Sequence, residues 1–266
     1  MITFNNPFPL KGQPLIHCLT NEISIESVAN AILSIGAKPV MADDPREITY
    51  FLKQSQALLL NLGHLSREKE KAIRRASQLA CSEEKPCLID MVGIAASPVR
   101  HQLALDLLQN QPAVIKGNTA EMRHFCGLTA QGRGIDAHPL DYDLTDLTVH
   151  LKAMSQHYPD TVFLATGSKD LIVYQDRVLI LKNGTPLLNA FTGTGDLVGA
   201  LAACFLGAGE EKVAAAALAV SYINICGEKA QRTAQGLADF RFQTLNQLSL
   251  LHKDKSWLKE IKGDSL

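Results

Sequence analysis

For roughly its first 170 residues the chain alternates short apolar runs with amphipathic segments. "LIHCLT" (15–20), "PVMAD" (39–43), "ALLLNLG" (57–63), "CLIDMVG" (87–93), "AVIKGN" (113–118) and "TVFLATG" (161–167) each predict a strand. Between them lie helical patterns. "SIESVANAILSIGA" (24–37) predicts a helix capped by Ser24, the segment after Pro45 one with proline at its first position, and Ser66 to about Glu83 a charged-faced one. "DLIVYQDRVLILKNG" (170–184) differs and predicts a hairpin turning at Gln175-Asp176. Beyond Thr194 the pattern is helical to about residue 252, with interruptions near Gly207 and Gly236. The closing "HKDKSWLKEIKGDSL" is charged and predicts a frayed end.

Strands separated by helices imply right-handed βαβ units, hence an α/β fold with one mostly parallel sheet and an antiparallel edge. No linker or repeat divides the chain, so a single domain over 1–266 is expected. The long turn-rich segment 127–143 is the exception, and its "GRGIDA" (132–137) matches GxGxxA by chance, since it follows no strand.

Composition supports a sheet covered by helices: 46% of residues are hydrophobic but only 6% aromatic, leaving Leu, Ile, Val and Ala to build the core. A net charge of -1 gives no reason to expect nucleic acid or an anionic membrane as partner. The start lacks a secretory pattern, the apolar runs are too short to span a bilayer, and the six cysteines form no CxxC. A cytoplasmic protein with reduced thiols is expected. His17, inside an apolar strand, reads as a satisfied buried histidine.

Ligands of open α/β sheets bind beyond the carboxyl ends of the strands. Polar residues collect there: Thr20-Asn21, Asp43-Asp44, Asn61, Asp90, Lys116–Asn118 and Thr166-Gly167. Helix capping is the better account of Asp43 or Asn61 taken singly. Asp90 precedes no helix and points to the crevice. "VIKGNTAEM" (114–122) has two readings: a capped helix with Glu121 in its first turn, or Lys116 near nucleotide phosphates with Glu121 reaching a magnesium-bound water. Thr166 and Gly167 offer a nucleotide a hydroxyl and a bare backbone.

The sharpest signal is "FTGTGDLVGALAACFL" (191–206). Gly193, Thr194 and Gly195 form a turn opening an apolar helix, where free N–H groups favour a phosphate. A carboxylate at Asp196 would repel that phosphate unless its task is to accept the proton of an attacking alcohol. The simpler rival is a helix cap. No GxxxxGK[ST], HExxH or GxSxG occurs, and position 198 is valine where a Rossmann turn needs glycine.

"GTGD" resembles the anion hole of the ribokinase-like superfamily, in which the aspartate is the catalytic base. With "HCLTNEISIESVANAILSIGAKPVMADDPREI" (17–48), "LLLNLG" (58–63), "LIDMVGIAAS" (88–97), "VIKGNTAEM", "GIDA" (134–137), "LATGSKD" (164–170) and "TGTGDLVGAL" (192–201), the chain resembles the hydroxyethylthiazole kinase family. The resemblance implies a three-layer α/β/α fold and transfer of the γ-phosphoryl of ATP, with Mg²⁺, to the alcohol of 4-methyl-5-(2-hydroxyethyl)thiazole. It implies Asp196 as base, with the Gly193–Gly195 turn as anion hole. Met41, Asn21 and Gly193 would bind the thiazole; Lys116, Asn118, Thr166 and Gly167 ATP; Asp90 and Glu121 the metal. It also implies a homotrimer, with Asn21 and Met41 across an interface from Asp196.

Three positions depart from the family pattern. Asp196 replaces the usual cysteine; a carboxylate is the better base near neutral pH, since thiols ordinarily titrate near about 8.5 and aspartate near about 3.9. Met91 replaces proline and is expected to loosen the turn after Asp90. Lys116 replaces arginine, which loses a bidentate fork and bears on ATP affinity. The rivals are a sister kinase for hydroxymethylpyrimidine or a small sugar, and a non-catalytic thiazole-binding protein.

Overall fold

The computed structural model describes residues 4–128 and 144–265. Its strands are β1 (Leu15–Leu19), β2 (Lys38–Val40), β3 (Ala57–Asn61), β4 (Cys87–Asp90), β5 (Val114–Asn118), β6 (Val162–Thr166), β7 (Asp170–Tyr174), β8 (Arg177–Leu181) and β9 (Gly263–Ser265). The helices are α1 (Ile25–Ser34), α2 (Ile48–Gln54), α3 (Arg67–Ser82), α4 (Pro98–Leu108), α5 (Thr119–Phe125), α6 (Leu144–His157), α7 (Thr194–Gly207), α8 (Lys212–Gln231) and α9 (Leu237–Leu251).

All strands join one sheet in the order β2-β1-β3-β4-β5-β6-β7-β8-β9. β2 to β6 run parallel in that order, and β7, β8 and β9 add antiparallel. The pleat divides each strand between two cores. Ala57 and Leu59 of β3 face the side of α1, α7 and α8, while Leu58 and Leu60 face the side of α2 to α6. The result is three layers, with α9 packed outside α8.

α7 decides where the chemistry sits. Every residue from Asp196 to Leu206 is buried, so the helix has no polar face and must be covered all round. It lies on β1, β3 and β4 beneath α1 and α8. That packing holds the first turn of α7 above the ends of the central strands.

Several local expectations need correcting. The helix after Pro45 starts three residues later, at Ile48, with Pro45 in the preceding turn. Ser24 precedes α1 but makes no capping bond, because its hydroxyl is committed to Asn21. The end of the chain is not frayed: Trp257 is fully buried among Phe8 and Tyr222, and β9 pairs with β8. Lys182 and Asp264 form an ion pair across that pairing. Segment 127–143, including "GIDA", lies outside the described residues from 129 onward.

Trp257→Ala is therefore expected to cost about 3–5 kcal/mol in urea unfolding. A frayed end would leave the stability within about 0.5 kcal/mol of the native chain.

Candidate active site

The strand order sets Met41, Asn21, Asn61, Asp90, Lys116–Asn118 and Thr166-Gly167 in one row along the carboxyl edge of the sheet. From β1 the chain winds outward to β2 on one side and to β3 on the other. That reversal opens a crevice between β1 and β3. Asn21 and Asn61 stand on its two sides.

Asp196 hangs over this crevice from α7, 9% exposed, reachable by a ligand but largely shielded from water. Its Oδ2 accepts from Asn21 Nδ2 at 2.9 Å and its Oδ1 from Asn61 Nδ2 at 2.8 Å. Both amides are fixed from their far ends. Asn21 Oδ1 accepts the N–H of Ile23 at 3.1 Å, and the N–H and hydroxyl of Ser24, both at 3.2 Å. Asn61 Oδ1 accepts the Gly63 N–H at 2.8 Å. An amide oxygen engaged by donors must turn its NH₂ the other way, here toward the carboxylate.

The turn before Asp196 presents free backbone donors. Gly193 has φ 99°, which favours glycine, and α7 starts without a side-chain cap. The first helical bond runs from Leu197 N–H to Gly193 O at 3.0 Å. The N–H groups of Thr194, Gly195 and Asp196 thus have no acceptor within the helix. Thr194 enters the site through its backbone alone, because its hydroxyl donates to Leu188 O at 3.0 Å. A Cβ on Gly195 would lie 3.4 Å from Lys116 Nζ, so the ammonium borders the turn.

Lys116 donates to Asp90 Oδ2 at 2.7 Å, and both are buried. Burial works against the Lys116 charge, but Asp90, Asp196 and Glu121 outweigh it and hold the amine above its ordinary range. Burial, with the charges of Asp196 and Glu121, pushes the Asp90 carboxyl up to about 7 against the pull of Lys116. Asp90 Oδ1 is buried with no hydrogen-bond partner.

Glu121 satisfies the capping reading: its Oε2 accepts Asn118 N–H at 2.8 Å while Asn118 Oδ1 accepts Glu121 N–H at 2.8 Å. Its Oε1 accepts Gly93 N–H at 2.7 Å, so it also ties down the loop after β4. Met91 does not loosen that loop. Its N–H donates to Lys116 O at 2.8 Å, a bond that proline could not make.

At the far end of the row, Thr166 Oγ1 approaches Gly117 O at 3.4 Å, and Gly167 N–H donates to Asp170 Oδ1 at 3.0 Å. Asp170 is buried, accepts from Asn224 at 2.8 Å, and is pushed up to about 7 by that burial. Met41 follows β2 and packs half-buried against the core.

The trimer expectation fails in one respect. Asn21 touches Asp196 inside a single chain, because β1 ends directly beneath α7. Asp170 and Lys69 escaped the sequence reading, and Asn61 was placed at its strand end without a role in the site. Asn61 and Asp170 show no local mark beyond a strand boundary. Lys69, which reaches back from α3 to Thr20 O and Gly63 O, is hidden among other charged residues of its helix.

Among the described residues, no group of three or more His, Cys, Asp or Glu side chains is placed to hold a metal. One or two carboxylates with substrate phosphates suffice for Mg²⁺, however, and the free Asp90 Oδ1 fits that use.

Residues 10–254 match the hydroxyethylthiazole kinase family. A hydroxyethylthiazole kinase of Enterococcus faecalis is 52% identical over 265 residues, 98% of this chain and 97% of that one. A solved hydroxyethylthiazole kinase from Pyrococcus horikoshii is similar at TM-score 0.85 and 26% identity, over 96% of this chain and 94% of that one. A ribokinase-like superfamily protein of E. faecalis shares the fold at TM-score 0.63 and 14% identity, over 90% and 86%.

Asp170 yields a pH prediction. From its ordinary 3.8 it is raised to about 7, so between those values the folded chain keeps a proton that the unfolded chain has released. This group therefore lowers stability as pH rises from about 4 to about 7. Urea unfolding at the two ends of that window should show a shallower decline for Asp170→Asn than for the native chain.

Proposed function

The chain belongs to the hydroxyethylthiazole kinase family, and from that premise we propose how its residues move a phosphoryl group from ATP to the alcohol of 4-methyl-5-(2-hydroxyethyl)thiazole. The observation that carries the proposal is a carboxylate clamped by two asparagines, one residue beyond an uncapped helical turn. The thiazole alcohol attacks the γ-phosphorus, its proton passes to Asp196, and the bond to the bridging oxygen of ADP breaks. Each carboxylate oxygen accepts one amide bond and keeps a lone pair for that proton.

The N–H groups of Thr194, Gly195 and Asp196 receive the charge of the moving group, as preorganised donors do in such transfers. Lys116, beside Gly195, adds a fixed positive charge. Asn21, Met41 and Gly193 take the thiazole side, while Asn118, Thr166 and Gly167 take the nucleotide. β3 and β6 are three strand spacings apart, about 14 Å, which leaves room for a triphosphate between alcohol and nucleoside. The divalent metal we assign is Mg²⁺: Asp90, whose Oδ1 is unpartnered, and Glu121 would hold it, and it would supply neutralisation of phosphate charge.

The same reading makes the chain one catalytic domain, cytoplasmic and homotrimeric. Exposed Ile23 and Phe242 are apolar surface suited to subunit contacts.

Phosphorylation of hydroxyethylthiazole and of hydroxymethylpyrimidine, with ATP and Mg²⁺, tests the proposal in the native chain and in Asp196→Asn. Thiazole turnover should fall at least about 100-fold in a variant that unfolds like the native chain. Retained turnover would exclude Asp196 as base. Turnover of the pyrimidine alone would reassign the alcohol, and thiazole binding without turnover would make the chain a binding protein.

A further inference from the structure

We propose that Lys69 is a positioning residue for phosphoryl transfer: its ammonium ties the loop after β1 to the loop after β3 and so sets the spacing of the two asparagines that hold Asp196. The proposal rests on the reading of Asp196 as base.

Lys69 stands in the first turn of α3, where its N–H donates to Ser66 Oγ at 3.1 Å. Lys69 shares the buried face of α3 with Ala72, Ile73 and Ala76, so its side chain points inward. Lys69 is 7% exposed on a helix whose Lys71 side chain is 65% exposed. Its Nζ donates to Thr20 O and to Gly63 O, each at 2.7 Å. Thr20 directly precedes Asn21. Gly63 holds Asn61 through its N–H at 2.8 Å and Lys69 through its carbonyl. One cation thereby joins the backbone segments on either side of the crevice, each a step away from an amide on Asp196.

A purely structural tie would not need a charge. Among the described residues no carboxylate lies within ion-pair distance of Lys69, so its desolvation is offset at contact by the two carbonyls and otherwise only by more distant charges. Burial pulls the amine down to about 8. The charges of Asp43, Glu22 and Asp196 oppose this, while Arg100 adds to it. Above that pH the lysine loses its charge, and its bonds revert from charge-assisted to ordinary strength. The two loops then hold each other less firmly.

The experiment is a double-mutant cycle, with kcat and KM measured for the thiazole and ATP beside urea unfolding. Lys69→Met should lower kcat about tenfold or more at pH 7 with little change in the KM for ATP, the effect of a small misplacement. In an Asn61→Ala background the same change should cost less than about twofold, because the two residues act through one path. Lys69→Arg, charged at every accessible pH, should restore most of the kcat lost in Lys69→Met. It should also abolish the fall in kcat expected of the native enzyme as pH rises through about 8.

A Lys69→Met kcat within about twofold of native overturns the proposal. So does a loss that multiplies with that of Asn61→Ala, or an alkaline limb unchanged in Lys69→Arg. If Lys69→Met does not fold, the pH comparison of the native enzyme with Lys69→Arg decides. Asp196→Asn, assayed alongside, separates the two ideas: turnover there removes the base but leaves the Lys69–Asn61 coupling to be read on its own.

Discussion

A carboxylate that must take a proton from an alcohol has to be oriented without being neutralised. In the proposed mechanism that carboxylate is Asp196, and two uncharged amides, Asn21 and Asn61, orient it, one on each oxygen. A lysine or arginine in either place would orient the group equally well, but would stabilise its ionised form with a full opposite charge and weaken it as a base. The amides avoid that, and they do so only because the strand order delivers both to one crevice. α7 closes the arrangement from above: buried on every side, it has little freedom to shift Asp196 away.

Positive charge is kept one step to the side. Lys116 lies against Gly195 and is paired with Asp90, which under the proposed mechanism sets it on the phosphate path and away from the alcohol. Three buried carboxylates, Asp90, Glu121 and Asp196, surround that lysine and outnumber it. Burial and mutual repulsion push Asp90 upward, and incoming phosphates would add to the repulsion. A divalent cation would answer such an excess, and in the proposed site the unpartnered Asp90 Oδ1 would receive it.

Features written in a few neighbouring residues were legible in the sequence. The Gly193–Asp196 turn needs only a glycine with positive φ and a helix to follow, and the βαβ alternation shows in the apolar runs. What escaped depends on partners far along the chain. Asn61 at a strand end looks like a helix cap until Asp196, 135 residues away, is brought beside it. Ser24 precedes a helix as a cap would, yet serves Asn21. Nothing in "REKEK" distinguishes the lysine that turns inward, and Trp257 lies in a stretch dominated by Lys253, Asp254, Lys255, Lys259 and Glu260, which hides it as core.

The two rims of the sheet carry a different consequence. One is β2, three residues with Pro39 at its centre; the other is β9, also three residues, flanked by the Lys182–Asp264 pair. Proline offers no N–H to a newcomer, and so short a strand presents few backbone groups for another chain to match. The sheet is thus a poor template for growth, which protects the protein from strand-by-strand aggregation. Any assembly of whole subunits must be built from helices and loops.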